Sequence, residues 1–464
     1  MAPLAVRSLQ QLLAGAVVTI GVLGCKDLTG SPGLPAGTPA PSFYFNATGA
    51  LGMRNAAIFE TEQAIPQYII DAGLLTDELE DINTGASAGQ VFQNGGTVQD
   101  PLDERVLPEG TGGGATSYGK LQGIREFATQ ALGALATYDT AASARDSAQI
   151  LRGELYAMEG YAEILLADLF CSGVPLSTLD YQKDFTYAPS STTAQVYQAA
   201  LAKLDTVLTL ASASDSVMNL ALVLKGRAYL DLGNYLAAAD DVTAVPDGFQ
   251  YQLVLNWAGG SNPFFVSTDL LNNTATISNR EGFNGLPFRS SGDPRTAAIG
   301  VAFNPNTRDS LYFPAKYQAA LTNAGYAPFT VASGVEARLI QAEAQLHGVT
   351  TGTGSWIDKL NALRAAAGLG TIADPGVNNP TAQIDTLFTE RASWLFLDGH
   401  RQGDLRRLLR QYGTYAAFSE PQDVYPTGAY LAPGTGFYGT DVTAPIPLSE
   451  DANQYFHGCL DRDP

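Results

Sequence analysis

The sequence predicts a mainly α-helical fold, a scaffold of paired helices joined to an irregular, loop-rich half. Three observations carry this reading. Leu151, Leu155, Met158, Ala162, Leu165 and Leu169 recur at steps of three and four, so the 149–170 segment has one continuous apolar stripe. Residues 219–245 place Gly226, Gly233 and Ala238 at the spacing of a closely packed helix pair. Residues 246–334 lose the helical period and hold Asn, Gly, Pro, Thr and scattered aromatics.

The chain opens with Met1-Ala-Pro-Leu-Ala-Val-Arg7 and an apolar run from Leu12 to Leu23. Arg7 supplies the positive start of an export signal, and the run supplies its hydrophobic centre. At 12 residues the run falls short of the ~20 that a membrane-crossing helix needs. It ends in Val22-Leu23-Gly24-Cys25, which resembles a bacterial lipobox. Residues 1–24 therefore read as a lipoprotein signal peptide, and Cys25 as the lipidated first residue of the mature protein. The alternative is an ordinary secretory signal with an incidental cysteine. Residues 25–41 are rich in Pro, Gly and small polar residues and read as a flexible tether. Lys26-Asp27 resembles the start of a signal for the outer face of the outer membrane, although Leu28 stands where a second acidic residue would be.

Residues 42–464 read as one domain. A helix is predicted over 51–73, with Leu51, Ala57, Ile58, Ala64, Ile65 and Ile69 at helical spacing. Residues 83–118 are rich in glycine and poor in periodic apolar residues, the mark of a long functional or disordered loop. Helices follow over 119–138 and 149–170, the second stopped by Gly173 and Pro175, and then over 192–211. In the 219–245 pair, Gly226, Gly233 and Ala238 match part of the tetratricopeptide consensus, and Tyr229 and Tyr235 are expected to fill the space between the two helices. The paired-helix stretches span about 119–245 and 335–412, with the irregular insert at about 246–334 between them. The second stretch holds helices at 335–347, 355–367, 381–398 and 400–412.

Acidic residues outnumber basic ones, 46 to 26, for a net charge of −20. A surface of that sign repels phosphate backbones and argues against nucleic acid as a partner. It also repels anionic lipid, so membrane attachment falls to the acyl chains on Cys25, which exceed the two-anchor threshold for stable binding. Cys171 and Cys459 remain once Cys25 is lipidated. In an oxidising compartment this pair reads as a disulfide; the alternative is two separate small hydrophobes. His347, His400 and His457 show no metal-ligand spacing, so no metal and no cofactor is expected. No nucleophile, phosphate-loop or dinucleotide fingerprint appears, and the chain reads as a non-enzyme.

Four stretches share their order with a known family. The first runs from Leu151-Arg-Gly-Glu-Leu-Tyr to Gly173-Val-Pro-Leu176; the second is Gly292-Asp-Pro-Arg295 with Lys316-Tyr317 downstream. The third is Glu336-Ala-Arg-Leu-Ile-Gln-Ala-Glu-Ala344 followed by Leu360-Asn-Ala-Leu-Arg364. The fourth is Glu390-Arg391, Asp398-Gly399, Arg401 and Asp404-Leu-Arg-Arg407. Together, behind a lipobox, they resemble the SusD/RagB outer-membrane nutrient-binding lipoproteins. Asp398 stands where the family usually has Glu, and His400-Arg401-Gln-Gly where an aromatic is common. The resemblance implies a SusD-like fold, tetratricopeptide-like helix pairs with an irregular ligand-binding half. It also implies a SusC-like TonB-dependent outer-membrane barrel as partner, a glycan or oligopeptide ligand, and a cell-surface location. Two other readings stay open: an envelope-tethered tetratricopeptide-type interaction scaffold, and a surface glycan hydrolase.

Sugars bind by stacking on aromatic rings while polar side chains hold their hydroxyls. The candidate ligand residues are therefore loop aromatics with neighbouring amides: Phe92 with Asn94, and Trp257, Phe283 and Asn284. No tryptophan stands in the first loop, which argues against a starch-like stacking platform. Glu390, Arg391, Asp398, Arg401, Asp404 and Arg407 read as a structural ion-pair segment that locks two helices together.

Overall fold

Ten helices longer than one turn lie among the described residues of the computed structural model, which are 45–81, 101–108, 114–138, 145–256, 275–304, 309–323, 325–350, 352–430 and 437–463. They are α1 (Ala47–Leu75), α2 (Ala115–Tyr138), α3 (Arg145–Leu169), α4 (Thr193–Leu210), α5 (Asp215–Asp231) and α6 (Tyr235–Asp241), then α7 (Gly334–Leu346), α8 (Trp356–Ala366), α9 (Pro380–Trp394) and α10 (Arg401–Gln411). Consecutive helices pack against one another from α1 to α6, and α7 packs on α8. Local signals set their starts. Ser214, Ser333 and Ser355 each accept a hydrogen bond from the backbone N–H three residues on, which satisfies an otherwise unpaired donor. Thr192 and Gln195 close a reciprocal capping box at the head of α4.

Alanine lines the closest helix contacts. Ala57, Ala128, Ala131 and Leu155 are all fully buried and join α1, α2 and α3. Gly226 shows why a small residue is needed within the α5–α6 pair: a Cβ there would lie 2.6 Å from Val242. Val242 fills the space beside Gly226, and Tyr229 and Tyr235 are half-buried against the same core. Tyr235 also stacks on His347, with ring centroids 3.5 Å apart. α7 to α10 enclose their own apolar cluster around Leu339, Leu360, Leu387 and Leu405.

The irregular segment is a set of antiparallel two-stranded ribbons. β2 (Gln250–Asn256) pairs with β6 (Tyr326–Ser333), bracketing the insert, and β4 (Ala298–Asn304) pairs with β5 (Asp309–Pro314). β3 (Ala275–Ile277) pairs back to β1 (Leu79–Asp81), just after α1. The expected 83–118 loop is shorter at its end than predicted, because α2 already begins at Ala115. Tertiary contacts order that turn: Ser117 Oγ donates to Asp71 at 2.5 Å, and the Tyr118 ring meets Phe170 edge-on at 5.1 Å. Pro101–Glu104 forms a single helical turn, while residues 82–100 and 109–113 lie outside the described residues.

Cys171 and Cys459 form a disulfide, with their Cα atoms 5.8 Å apart. It pins the C-terminal segment beside the end of α3. Ser172 N–H donates to Asp461 O at 2.9 Å, and Leu460 N–H donates to Ser172 O at 2.6 Å. The bridge spans 288 residues, and native bridges typically add about 2–4 kcal/mol. Cys459→Ser should therefore lower the melting temperature, as should reductant acting on the wild type. Identical melting curves with and without reductant would show that the bridge adds nothing.

Candidate functional site

Cys25, Phe92, Asn94 and Trp257 lie outside the described residues. Phe283 and Asn284 are neighbours on the turn after β3. The Phe283 ring is 84% exposed, the most open large apolar side chain among the described residues. It rests against Gly428, where a Cβ would sit 2.3 Å from the ring and where φ is +92°. Phe283 N–H donates to Thr427 O at 3.0 Å. Asn284 is exposed beside it, and its Nδ2 donates to Tyr425 O at 2.8 Å and to Gln422 O at 3.3 Å. Its amide thus ties the turn to the 422–428 loop, so the ring is held up by a backbone frame. A ring kept exposed in this way presents a flat apolar platform to solvent.

Sequence reasoning missed the foundation of this platform. Arg105, 1% exposed, donates from Nη1 to Pro426 O at 2.6 Å and from Nε to Asp441 O at 2.9 Å, and stacks on the Tyr425 ring. Tyr430 donates to Asp103, Tyr438 donates to Glu281 Oε1 at 3.1 Å, and the two tyrosine rings meet edge-on at 5.0 Å. Burial, then the charge of Asp103, pushes the Glu281 carboxyl well above the usual range; burial, then Asp81, does the same to Asp103. Both residues are 1% exposed. A carboxyl raised in this way adds stability below its unfolded pKa of about 4 and loses it as pH rises through the folded value. Glu281→Gln keeps an acceptor for Tyr438 and removes the charge. Its melting temperature should fall less than that of the wild type as pH rises from about 4; parallel profiles would contradict the assignment.

The chain superposes over most of its length on solved structures. A SusD superfamily protein from Bacteroides thetaiotaomicron aligns with a TM-score of 0.63 at 14% identity, over 89% of this chain and 99% of that one. A SusD-like carbohydrate binding protein from Bacteroides vulgatus aligns at 0.60 and 14% identity, over 89% and 97%. Surface glycan-binding protein A from Bacteroides uniformis aligns at 0.60 and 14% identity, over 88% and 98%. This chain has the SusD-like fold. No protein-family model matches its sequence, and no curated protein matches it.

Within the SusD-like fold, the charged segment of α9 and α10 fastens the helical scaffold to the irregular half. Arg391 holds Asp404 bidentately, Nε to Oδ2 at 2.9 Å and Nη2 to Oδ1 at 2.8 Å, and so joins α9 to α10. Arg407 reaches Glu343 of α7 at 2.9 Å and Asp231 of α5 at 2.6 Å. The other members leave the segment altogether. Glu390 binds Arg295 and Arg364 at 2.7 and 2.5 Å, Asp398 binds Lys316 at 2.6 Å, and Arg401 clasps Asp77 at 2.7 Å. Glu336 joins the network from α7: burial pushes its carboxyl up, but the Arg227 charge prevails and holds it at about 2. Every one of these six residues is occupied by a protein partner.

Proposed function

We propose that this chain is a lipid-anchored binding protein that captures a nutrient glycan at the outer membrane and delivers it to a TonB-dependent barrel without chemical change. The observation that carries the reading is the Phe283 ring, exposed on a braced loop in a fold shared with proteins that bind glycans. A pyranose presents one apolar face and a rim of hydroxyls, so it stacks on such a ring and takes hydrogen bonds at the edge. A net charge of −20 favours anchoring through acyl chains on Cys25 over adhesion to lipid headgroups.

Fractionation of cells making the wild type and Cys25→Ala tests the anchoring and the partner together. The wild type is expected in the outer-membrane fraction, with a large TonB-dependent barrel co-purifying after mild solubilisation. Cys25→Ala is expected in the soluble fraction. A wild-type chain recovered as soluble protein, or from the membrane without a barrel, would overturn this part of the proposal.

A further inference from the structure

A second concavity lies on the helical half, away from the Phe283 loop in sequence. It is a cleft of about 860 Å³ between α7 and α8, closed by Trp394 at the end of α9. Cavities of this size hold small molecules or a few residues of peptide. One wall is aliphatic, formed by Val335, Ala362, Leu363, Ala366 and Ala367, and the rest of the lining is polar or glycine apart from Trp394.

Lys359 is the unusual member of its lining. The residue is 9% exposed, and its Nζ makes one hydrogen bond, to Thr353 O at 3.2 Å. Among the described residues no carboxylate lies within ion-pair distance of it. The two acids in the same walls have other partners. Asp358 closes the cap of α8 on Ser355, with N–H and Oγ both at 2.8 Å, and Asp247 faces Arg338 at 3.2 Å. The Arg338 Nη atoms donate to Gln341, Val242 and Val245, while its Nε makes no hydrogen bond. Burial, then the Arg338 charge, pulls the Lys359 ammonium down from its ordinary range. A buried ammonium with one neutral acceptor is an unfavourable arrangement that an incoming anion relieves. The Trp394 Nε1–H, buried and without an acceptor, is a second unused donor in the walls of the cleft.

We propose that this cleft binds the free C-terminal carboxylate of a short aliphatic peptide, with the carboxylate on Lys359 and the side chains on the Val335–Leu363–Ala366 wall. The Val335–Leu363–Ala366 wall suits leucine and valine side chains. The one aromatic there, Trp394, already has the Arg295 guanidinium 4.7 Å from its ring centroid. The proposal names a different site and a different ligand class from the glycan reading and stands or falls separately.

Calorimetric titration of the purified full-length chain with the tripeptide Ala-Leu-Leu and with its C-terminal amide tests it. The acid is expected to bind saturably and the amide at least tenfold more weakly. Lys359→Met should bind acid and amide equally weakly with no loss of melting temperature, and Lys359→Arg should keep the preference for the acid. Equal affinity of the wild type for acid and amide, no saturable binding at millimolar peptide, or an unchanged acid preference in Lys359→Met would overturn the proposal. Displacement of Ala-Leu-Leu by a glucuronate-tipped disaccharide at lower concentration would assign the cleft to acidic sugars and overturn it as well.

Discussion

Arg391→Ala is expected to lower the melting temperature by several degrees and to leave ligand affinity unchanged. Arg391 is 1% exposed and lies between two buried acids, bidentate to Asp404 and 3.5 Å from Glu343. Removing one partner of a buried pair costs about 3–5 kcal/mol, because the remaining charge stays out of water without its counter-ion. Arg407 bonds Asp404 at 2.7 Å and Glu343 at 2.9 Å, and so compensates in part. The pH dependence has a definite sign. Burial would raise the Asp404 pKa, but the charges of Arg391 and Arg407 hold it well below the usual carboxylate range. A depressed carboxylate stabilises above its unfolded pKa of about 4 and loses that contribution as pH falls through the folded value. The gap between wild type and Arg391→Ala should therefore be widest near neutral pH and narrow in acid. An unchanged melting temperature with lost binding would move Arg391 from the scaffold to the ligand site.

Phe283→Ala should do the opposite. The ring is 84% exposed and makes no contribution to the buried core, so its loss should leave the melting temperature within a degree or so. Affinity for the captured glycan should fall about tenfold or more, equivalent to about 1.4 kcal/mol or more of binding energy. Gly428→Leu offers a check that keeps the ring. The branched side chain would occupy the space where Phe283 now lies, displace it, and weaken binding without removing an aromatic; at a φ of +92° it also strains the loop, so the melting temperature should fall somewhat as well.

The helices were readable because period and cap agree locally. Ser333 and Ser355 mark the starts of α7 and α8, and the apolar stripe of α3 needs no partner to be recognised. The start of α2 was not readable, since Tyr118 and Ser117 are ordered by Phe170 and Asp71 from other elements. Phe283 stood out as a loop aromatic. Its support did not, because Arg105 meets its acceptor on Asp441 336 residues away and β1 finds its partner in β3 across the whole helical stretch. Nothing local marks such contacts. The charged segment was readable as structural, yet its partners Asp77, Asp231, Arg295, Lys316, Glu343 and Arg364 lie in other parts of the chain.

The most direct test is a glycan panel titrated against the wild type and Phe283→Ala side by side. Saturable binding of at least one oligosaccharide by the wild type, weakened at least tenfold in a Phe283→Ala chain of unchanged melting temperature, is the predicted result. Binding of no glycan by the wild type, or equal affinity in the two proteins, would contradict glycan capture on this platform.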